Sequence, residues 1–263
     1  DFRVFLDVNF RSGGQAGIER LAKAVNASDP DTVADILRAD HPDLVFVDTG
    51  NDQGYQARLE SCILKGYKPL WDARSCEQAM AALDGFRILC AHNSGNSGTL
   101  QINHLCENIL QSKGKGGINR LVFKRLLMVC RNDYKRSLFN GDTCVVLEEN
   151  GISTAWFAPE KLRSGQSDTP RHFRVSDLPE CELSFALTIH KSQGSEFDTV
   201  LILIPEHISP VVTRQLLYTG ITRSRKKVVI FGSMPMIRQA VQTSVERRSN
   251  LQAVLDEDNM KTV

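Results

Sequence analysis

Short, continuous apolar runs recur along the chain, and polar segments of varied length separate them. The runs are rich in Val, Ile, Leu and Phe, which is typical of strands buried on both faces of a parallel sheet. They are Val4–Leu6, Leu44–Val47, Phe86–Ala91, Leu126–Cys130, Leu183–Leu187, Thr199–Ile204 and Val228–Phe231. The pattern therefore predicts a mainly parallel sheet with its strands distributed along most of the chain.

Helical spacing occupies many of the intervals between these runs. Apolar stripes occur at Ile18, Leu21, Ala22 and Val25, at Val33, Ile36 and Leu37, and at Ile102, Leu105 and Ile109. Asp29 followed by Pro30 is typical of a helix N-cap and first turn, and Ser233–Pro235 predicts the start of another helix. Strands that alternate with helices predict an α/β domain with helices on both faces of the sheet.

The region from Phe139 to Pro179 departs from this pattern because it contains no convincing helix. Two strand-like runs, Cys144–Leu147 and Ser153–Phe157, flank the dipeptide Asn150–Gly151, which is a strong hairpin signal. The rest of the region is rich in Ser, Pro, Gly and Asp. We predict a small all-β, barrel-like insertion at residues 138–180, with the α/β domain formed by residues 1–137 and 181–263.

Composition narrows the class of protein only modestly. The chain has 263 residues, 41% of them hydrophobic, and a formal net charge of +1, which argues against a histone-like nucleic-acid binder but leaves a local basic groove open. Seven cysteines, an odd number without a C-x-x-C pair, predict reduced thiols in a cytoplasmic protein and no metal site. The start at Asp1, without methionine or a signal-peptide pattern, predicts a piece of a longer protein.

Three segments carry the chemistry. Ala186–Ile204 reads as a strand, a polar turn from Thr188 to Glu196, and a second strand, so hydroxyl, imidazole and amide groups lie at a strand's carboxyl end, where oxyanions bind. Gln215–Ile230 reads as a helix with Tyr218, Thr219, Thr222 and Arg223 on its polar face, followed by a strand. Asn9–Ser12 follows the first strand and contains Arg11, whose planar guanidinium matches phosphate oxygens.

Together these segments resemble motifs IV (Asn9–Ser12), V (Ala186–Ile204) and VI (Gln215–Ile230) of superfamily 1 helicases, in the form found in the RecD family of the exodeoxyribonuclease V complex. The resemblance extends over nearly the whole chain, including Arg131–Asp133 and Leu138–Asp142 at the start of the insertion. It implies a RecA-like (P-loop NTPase-type) lobe, 2A, that carries a small SH3-like insertion, 2B. It also implies ATP-driven 5′→3′ DNA unwinding in repair and recombination, with RecB- and RecC-like partner subunits.

The resemblance also implies individual roles. Arg11 and Arg223 would contact the γ-phosphate of ATP, Gly194 and Glu196 would lie near the ribose, and Gln193 would couple the nucleotide and DNA sites. The residues that would lie along single-stranded DNA are Thr188, His190, Ser192 and Asn140.

One element of an ATPase is absent from the sequence. No G-x-x-x-x-G-K-[ST] motif occurs, so nothing in this chain would cradle the β- and γ-phosphates or seat Mg²⁺. In the family those elements belong to a preceding lobe. We therefore expect ATP and Mg²⁺ to be held mainly by an N-terminal lobe of the same protein, and this chain by itself to be inactive.

Other interpretations remain open at the sequence level. Arg11 could pair with Asp7 or Glu19, and Arg225–Lys227 could form a solvated basic turn. Trp156 and Phe157 could stack on bases or fill the core of the insertion. The whole chain could belong to a stand-alone or relaxase-linked helicase, or to a catalytically silent DNA-binding or scaffolding module.

Overall fold

In the computed structural model the described residues are 16–50, 54–113, 122–149, 151–158, 161–162, 165–166 and 170–244. Their helices are α1 (Ala16–Asn26), α2 (Pro30–Arg38), α3 (Tyr55–Asp72), α4 (Cys76–Ala81), α5 (Thr99–Lys113), α6 (Arg214–Ile221) and α7 (Met234–Gln242). Their strands are β1 (Leu44–Asp48), β2 (Phe86–Cys90), β3 (Val122–Val129), β4 (Thr143–Glu149), β5 (Ile152–Phe157), β6 (Lys161–Leu162), β7 (Gly165–Gln166), β8 (Arg171–Arg174), β9 (Cys181–Leu183), β10 (Ala186–Thr188), β11 (Phe197–Leu203) and β12 (Ser224–Gly232). None of these helices has the length and apolar character needed to cross a membrane.

A five-stranded sheet forms the centre of the α/β part. Its strand order is β1-β12-β11-β2-β10, and every neighbouring pair is parallel. The predicted α/β class with a parallel sheet is therefore confirmed. The central strands are hydrophobic at successive positions because both faces are covered by helices.

Two hydrophobic cores lie on opposite faces of this sheet. In β12, Val228 and Ile230 pack into the core formed with α1, α2, α6 and α7, whereas Val229 and Phe231 pack into the core formed with α3, α4 and α5. This alternation follows from the two-residue period of side chains along a strand. The capping of α2 agrees with the sequence, since the Asp29 carboxylate accepts a hydrogen bond from the Thr32 backbone N–H at 3.0 Å.

A second, antiparallel sheet has the order β8-β5-β4-β3-β9. The predicted hairpin is confirmed: β4 and β5 pair antiparallel, and Gly151 at the turn has a φ of 77°. Cys144 and Val146 of β4 face this sheet's own core, while Val145 and Leu147 pack against the α/β part. The sheet extends beyond residues 138–180 because it includes β3 and β9; the domain boundaries and the SH3-like character of the insertion stay predictions.

Two strand predictions were wrong in detail. Leu126–Cys130 was expected in the parallel sheet, but β3 lies in the second sheet, antiparallel to β4 and β9. Leu183–Leu187 was expected to be one strand, but the chain leaves the second sheet after Leu183 and enters the parallel sheet at Ala186. A short apolar run fixes neither the direction of a strand nor the sheet that it joins, which is why the pattern misled here.

Polar side chains from the α/β part hold this change of sheet. The Asn103 amide of α5 donates to the carbonyls of Leu183 and Ala186, at 2.9 and 3.0 Å, and accepts from the Ala186 N–H at 2.8 Å. Arg87 of β2 is 1% exposed; it donates to the Ser184 carbonyl at 2.5 Å and lies 4.9 Å from the centre of the Phe197 ring. Burial lowers the pKa of the Arg87 guanidinium.

Candidate nucleotide and nucleic-acid site

The Thr188–Glu196 turn begins at the carboxyl edge of the parallel sheet, where β10 ends, and it ends at the amino edge, where β11 starts. It is tightly folded: the Ser192 N–H donates to the Thr188 carbonyl at 3.1 Å, and the Gln193 N–H donates to the His190 carbonyl at 3.2 Å. Gly194 has a φ of 89°, a left-handed conformation that glycine adopts without the steric cost of a Cβ. The turn is therefore a hydrogen-bonded structure that presents its side chains in fixed directions.

The side chains of this turn divide into exposed and buried groups. His190 and Gln193 are exposed, so both can reach a ligand outside the sheet edge. Thr188 and Ser192 are buried; the Thr188 hydroxyl oxygen accepts from the Lys191 N–H, and the Ser192 hydroxyl donates to the Ile189 carbonyl at 2.7 Å. These two hydroxyl groups therefore shape the turn from within.

Arg223 connects the second motif to this turn. The Thr213 side chain caps α6, and the helix ends at Ile221, so Thr222 and Arg223 follow the helix and do not lie on its polar face as the sequence suggested. The Arg223 guanidinium donates from Nε to the Thr219 carbonyl at 3.2 Å and from Nη1 to the Ser195 carbonyl at 3.4 Å. Its backbone carbonyl accepts from the Phe197 N–H at 2.9 Å.

These contacts hold the half-buried Arg223 guanidinium next to Ser195, which lies between Gly194 and Glu196 in the sequence. The fold thus brings together four of the predicted nucleotide-site residues: Gln193, Gly194, Glu196 and Arg223. Glu196 is half-buried and takes part in a polar contact of its own. Sequence reasoning missed the Ser195 and Thr219 carbonyls, which leave no signal in side-chain patterns.

The basic residues after Arg223 have a different role. Arg225 Nε and Lys226 Nζ both donate to the Asp198 carboxylate, at 3.1 and 2.8 Å. The hydrogen bond from Lys226 is the main reason that the pKa of Asp198 lies below its ordinary value. Arg225 and Lys226 therefore form surface ion pairs and differ from Arg223, which reaches the turn.

The other predicted site residues lie elsewhere. Asn140 is exposed, in the loop between β3 and β4, and its N–H donates to the Asn132 side-chain oxygen at 2.8 Å. Arg11 lies outside the described residues, so its convergence with Arg223 stays a prediction. Phe157 is 1% exposed and packs in the insertion core, and the Trp156 ring lies 4.7 Å from the His172 ring; packing is thus the role of Phe157.

Near the start of the turn, at the carboxyl edge of the sheet and away from Arg223 and Glu196 at the amino edge, lies a cavity of about 230 Å³. Its floor includes Leu203 and Phe231, and its rim includes His92, Asn96 and His207. It adjoins the turn through β2, since the Ile189 N–H donates to the Cys90 carbonyl at 3.0 Å. Open α/β sheets bind ligands outside the carboxyl ends of their strands, so this edge is the position where a ligand is expected.

The chemistry of the site suits part of a nucleotide. A guanidinium with donors beyond those used by Thr219 and Ser195 matches phosphate oxygens, and a carboxylate such as Glu196 accepts from a sugar hydroxyl. Within the described ranges, no group of three His, Cys, Asp or Glu side chains is placed to hold a metal ion. The described residues of this site therefore offer a cation for phosphate oxygens and a carboxylate for a sugar hydroxyl.

Comparisons with known proteins agree with these features. Residues 183–231, which contain the turn, α6 and most of β12, match the family model of the UvrD-like helicase C-terminal domain. The RecBCD enzyme subunit RecD of Mycobacterium tuberculosis is 36% identical over 241 residues, covering 89% of this chain and 40% of that protein. The ATP-dependent RecD2 DNA helicase of Deinococcus radiodurans is 30% identical over 142 residues, covering 52% of this chain and 19% of that protein.

A solved structure is also similar, with weaker agreement. The Pif1 helicase from Bacteroides, in complex with ADP-AlF3 and ssDNA, has a TM-score of 0.45 and 14% sequence identity, covering 98% of this chain and 56% of that chain.

The matched model defines the class: residues 183–231 form a UvrD-like helicase C-terminal domain. The chain as a whole is similar to RecD subunits and to a RecD2 DNA helicase, which confirms the resemblance predicted from motifs IV, V and VI. The chain spans 40% of the length of its mycobacterial relative, so it corresponds to a portion of such a protein.

Proposed function

We propose that this chain forms the C-terminal motor lobe, 2A with a 2B insertion, of an ATP-dependent 5′→3′ DNA helicase of the RecD type. The observation that carries the proposal is the placement of Arg223, whose guanidinium lies against the Ser195 carbonyl. Motif VI thereby supplies a cation next to the Gly194–Glu196 segment of motif V. A γ-phosphate held by another lobe would meet this cation when the two lobes close.

Arg223 would then stabilise the charge that develops on the transferred phosphoryl group. Two contacts to carbonyl oxygens hold its planar fork before ATP binds, so little side-chain freedom is lost at the moment of reaction. Arg11 would supply a second guanidinium. Mg²⁺, held with ATP mainly by the N-terminal lobe of the same protein, would polarise the phosphate oxygens.

The DNA would lie along the carboxyl edge of the parallel sheet. His190 is exposed there, while Thr188 and Ser192 hold the turn that presents it. Asn140 would contact the strand farther along, in the insertion. Because ATP and DNA would both bind around Gln193, closure on the nucleotide would change the grip on the strand.

Two partners and a pathway follow from the same relationship. RecB- and RecC-like subunits would bind the intact protein, and the complex would act in the repair and recombination of DNA breaks in the cytoplasm. These assignments depend on the RecD relatives, which bear the name of the RecBCD enzyme.

The test is a chimaera in which this chain replaces the matching portion of the mycobacterial relative. We expect DNA-stimulated ATP hydrolysis in the chimaera, and a loss of about 10³–10⁵-fold in kcat for Arg223→Ala, as for other arginine fingers. Arg225→Ala is the matched control because Arg225 is bound to Asp198, and it should retain hydrolysis. This chain by itself should hydrolyse no ATP.

Three results would contradict the proposal. If the Arg223→Ala chimaera hydrolysed ATP at a rate within a few-fold of the parent, Arg223 would have no role in the chemical step. Turnover of ATP by this chain alone would show a complete site within it. A chimaera that binds DNA but never hydrolyses ATP would favour the catalytically silent DNA-binding module instead.

A further inference from the structure

The loop from Asn132 to Asn140 carries two aromatic side chains on the surface of the second sheet. The Tyr134 side chain is 77% exposed and Phe139 is 44% exposed. Their ring centres are 6.2 Å apart with an interplanar angle of 75°. The described residues leave most of Tyr134 and almost half of Phe139 exposed to solvent, and a pair of exposed rings of this kind marks a contact site.

The backbone of this loop is firmly held. Asp133 and Leu138 exchange two backbone hydrogen bonds, at 2.7 and 3.0 Å, and the Leu138 side chain is fully buried in the core of the second sheet. Asn132 closes the loop by accepting from the Asn140 N–H, and its amide donates to the Tyr134 hydroxyl at 3.2 Å. The rings therefore extend from an ordered loop, which reduces the entropy lost when a ligand binds.

The charges around the rings are mainly positive. Asp133 accepts from the Arg136 guanidinium at 2.7 Å, and Asp142 accepts from the Phe139 N–H and lies 3.9 Å from the Arg171 guanidinium. Both acidic groups are thus engaged within the loop and its base.

Two more cations, Arg131 and Lys135, are exposed on the same loop. Exposed rings beside cations are the combination that binds single-stranded nucleic acid, because bases stack on the rings and phosphates meet the cations. A protein partner would need a larger apolar area than two rings. The two rings and the cations beside them therefore favour a nucleic acid as the partner.

We propose that Tyr134 and Phe139 form a base-stacking platform for single-stranded DNA, flanked by Arg131 and Lys135. The inference rests on the proposed function, since it assigns a base contact to the DNA path near Asn140. Stacking on rings is tolerant of sequence, so this platform would grip any strand that passes over the insertion.

The test is binding of this chain to a single-stranded oligothymidylate at low ionic strength, followed by fluorescence anisotropy. Tyr134→Ala should weaken binding by about 5- to 150-fold, the range measured for the loss of one stacked base. Tyr134→Phe keeps the ring and should bind like the parent, whereas Tyr134→Leu should lose most of the affinity. Ile152→Ala is the matched control, because Ile152 is another exposed (54%) apolar residue of the second sheet and lies outside the Asn132–Asn140 loop.

An abasic oligonucleotide separates stacking from charge. The parent chain should bind it more weakly than oligothymidylate, and Tyr134→Ala should cause no additional loss, because no base is present to stack. Circular dichroism should show unchanged folding for all variants.

Parent-like binding of oligothymidylate by Tyr134→Ala would overturn the platform, and so would an equal loss of affinity for both oligonucleotides. Neither outcome bears on the Arg223 result in the chimaera. Absence of binding by the parent chain would overturn both the platform and the DNA path.

Discussion

Removal of the Asn103 amide is the most demanding test of how the two sheets are joined. Asn103 is 6% exposed, and its side chain makes three hydrogen bonds to the backbone of Leu183 and Ala186. Because β10 is an edge strand of the parallel sheet, the amide occupies the place that a further strand would take. Asn103→Ala leaves the Ala186 N–H and its carbonyl without these partners.

The expected loss in the free energy of unfolding follows from the number of buried groups that lose a hydrogen-bond partner. Each buried donor or acceptor left unsatisfied costs about 1–3 kcal/mol, so the free energy of unfolding should fall by roughly 2–5 kcal/mol. That is a large part of the roughly 5–15 kcal/mol that holds a typical domain. The midpoint of thermal unfolding should fall by roughly 4–20 °C for a chain of this size.

The measurement is urea unfolding followed by circular dichroism. Gln101→Ala, an exposed position on the same helix, is the matched control and should change the free energy of unfolding by less than about 0.5 kcal/mol. Asn103→Asp keeps the acceptor for the Ala186 N–H but places a charge beside two carbonyls, so it should destabilise at least as much as alanine. A loss below about 0.5 kcal/mol for Asn103→Ala would refute the role given to this amide.

Three further predictions concern other parts of the fold. Phe157→Ala should cost about 3–5 kcal/mol in urea unfolding because the ring is fully buried, whereas the exposed Ile152→Ala should cost little. Gly194→Ala should lower stability by about 1–2 kcal/mol, because an alanine at a φ of 89° is strained; an unchanged midpoint would contradict this. Because the folded-state pKa of Asp198 is lowered from 3.8, its stabilising effect is present above about pH 4 and lost as the pH falls; Asp198→Asn should therefore flatten the acid limb of the stability profile.

Much of the α/β fold could be predicted from periodicity. The apolar runs at β1, β2, β11 and β12, and the stripes of α1, α2 and α5, all correspond to observed elements. The Asn150–Gly151 hairpin was also predictable, because few other dipeptides suit its turn. These strands, helices and turns depend on residues close together in the chain, so they can be predicted from the sequence.

Helix α3 was not foreseen, although it spans 18 residues. It contains Pro69 and has no side-chain cap at its start, so the usual start and stop signals are absent. Its buried side chains Leu59, Ile63, Tyr67 and Leu70 pack in the same core as β2, and Lys68 pairs with Asp72 one turn later. Which face of the sheet this helix covers is visible only in the tertiary structure.

For the candidate site, the sequence by itself determined which residues are predicted to carry the chemistry. Motif V and motif VI are contiguous segments, so the residue types at Thr188–Glu196 and at Arg223 could be recognised along the chain. Only the tertiary structure decided that the Arg223 guanidinium lies against Ser195, that Ser192 is buried, and that Tyr134 and Phe139 remain exposed. The physical reason is that these outcomes depend on contacts between residues distant in the chain, and one-dimensional spacing does not encode which strands become neighbours.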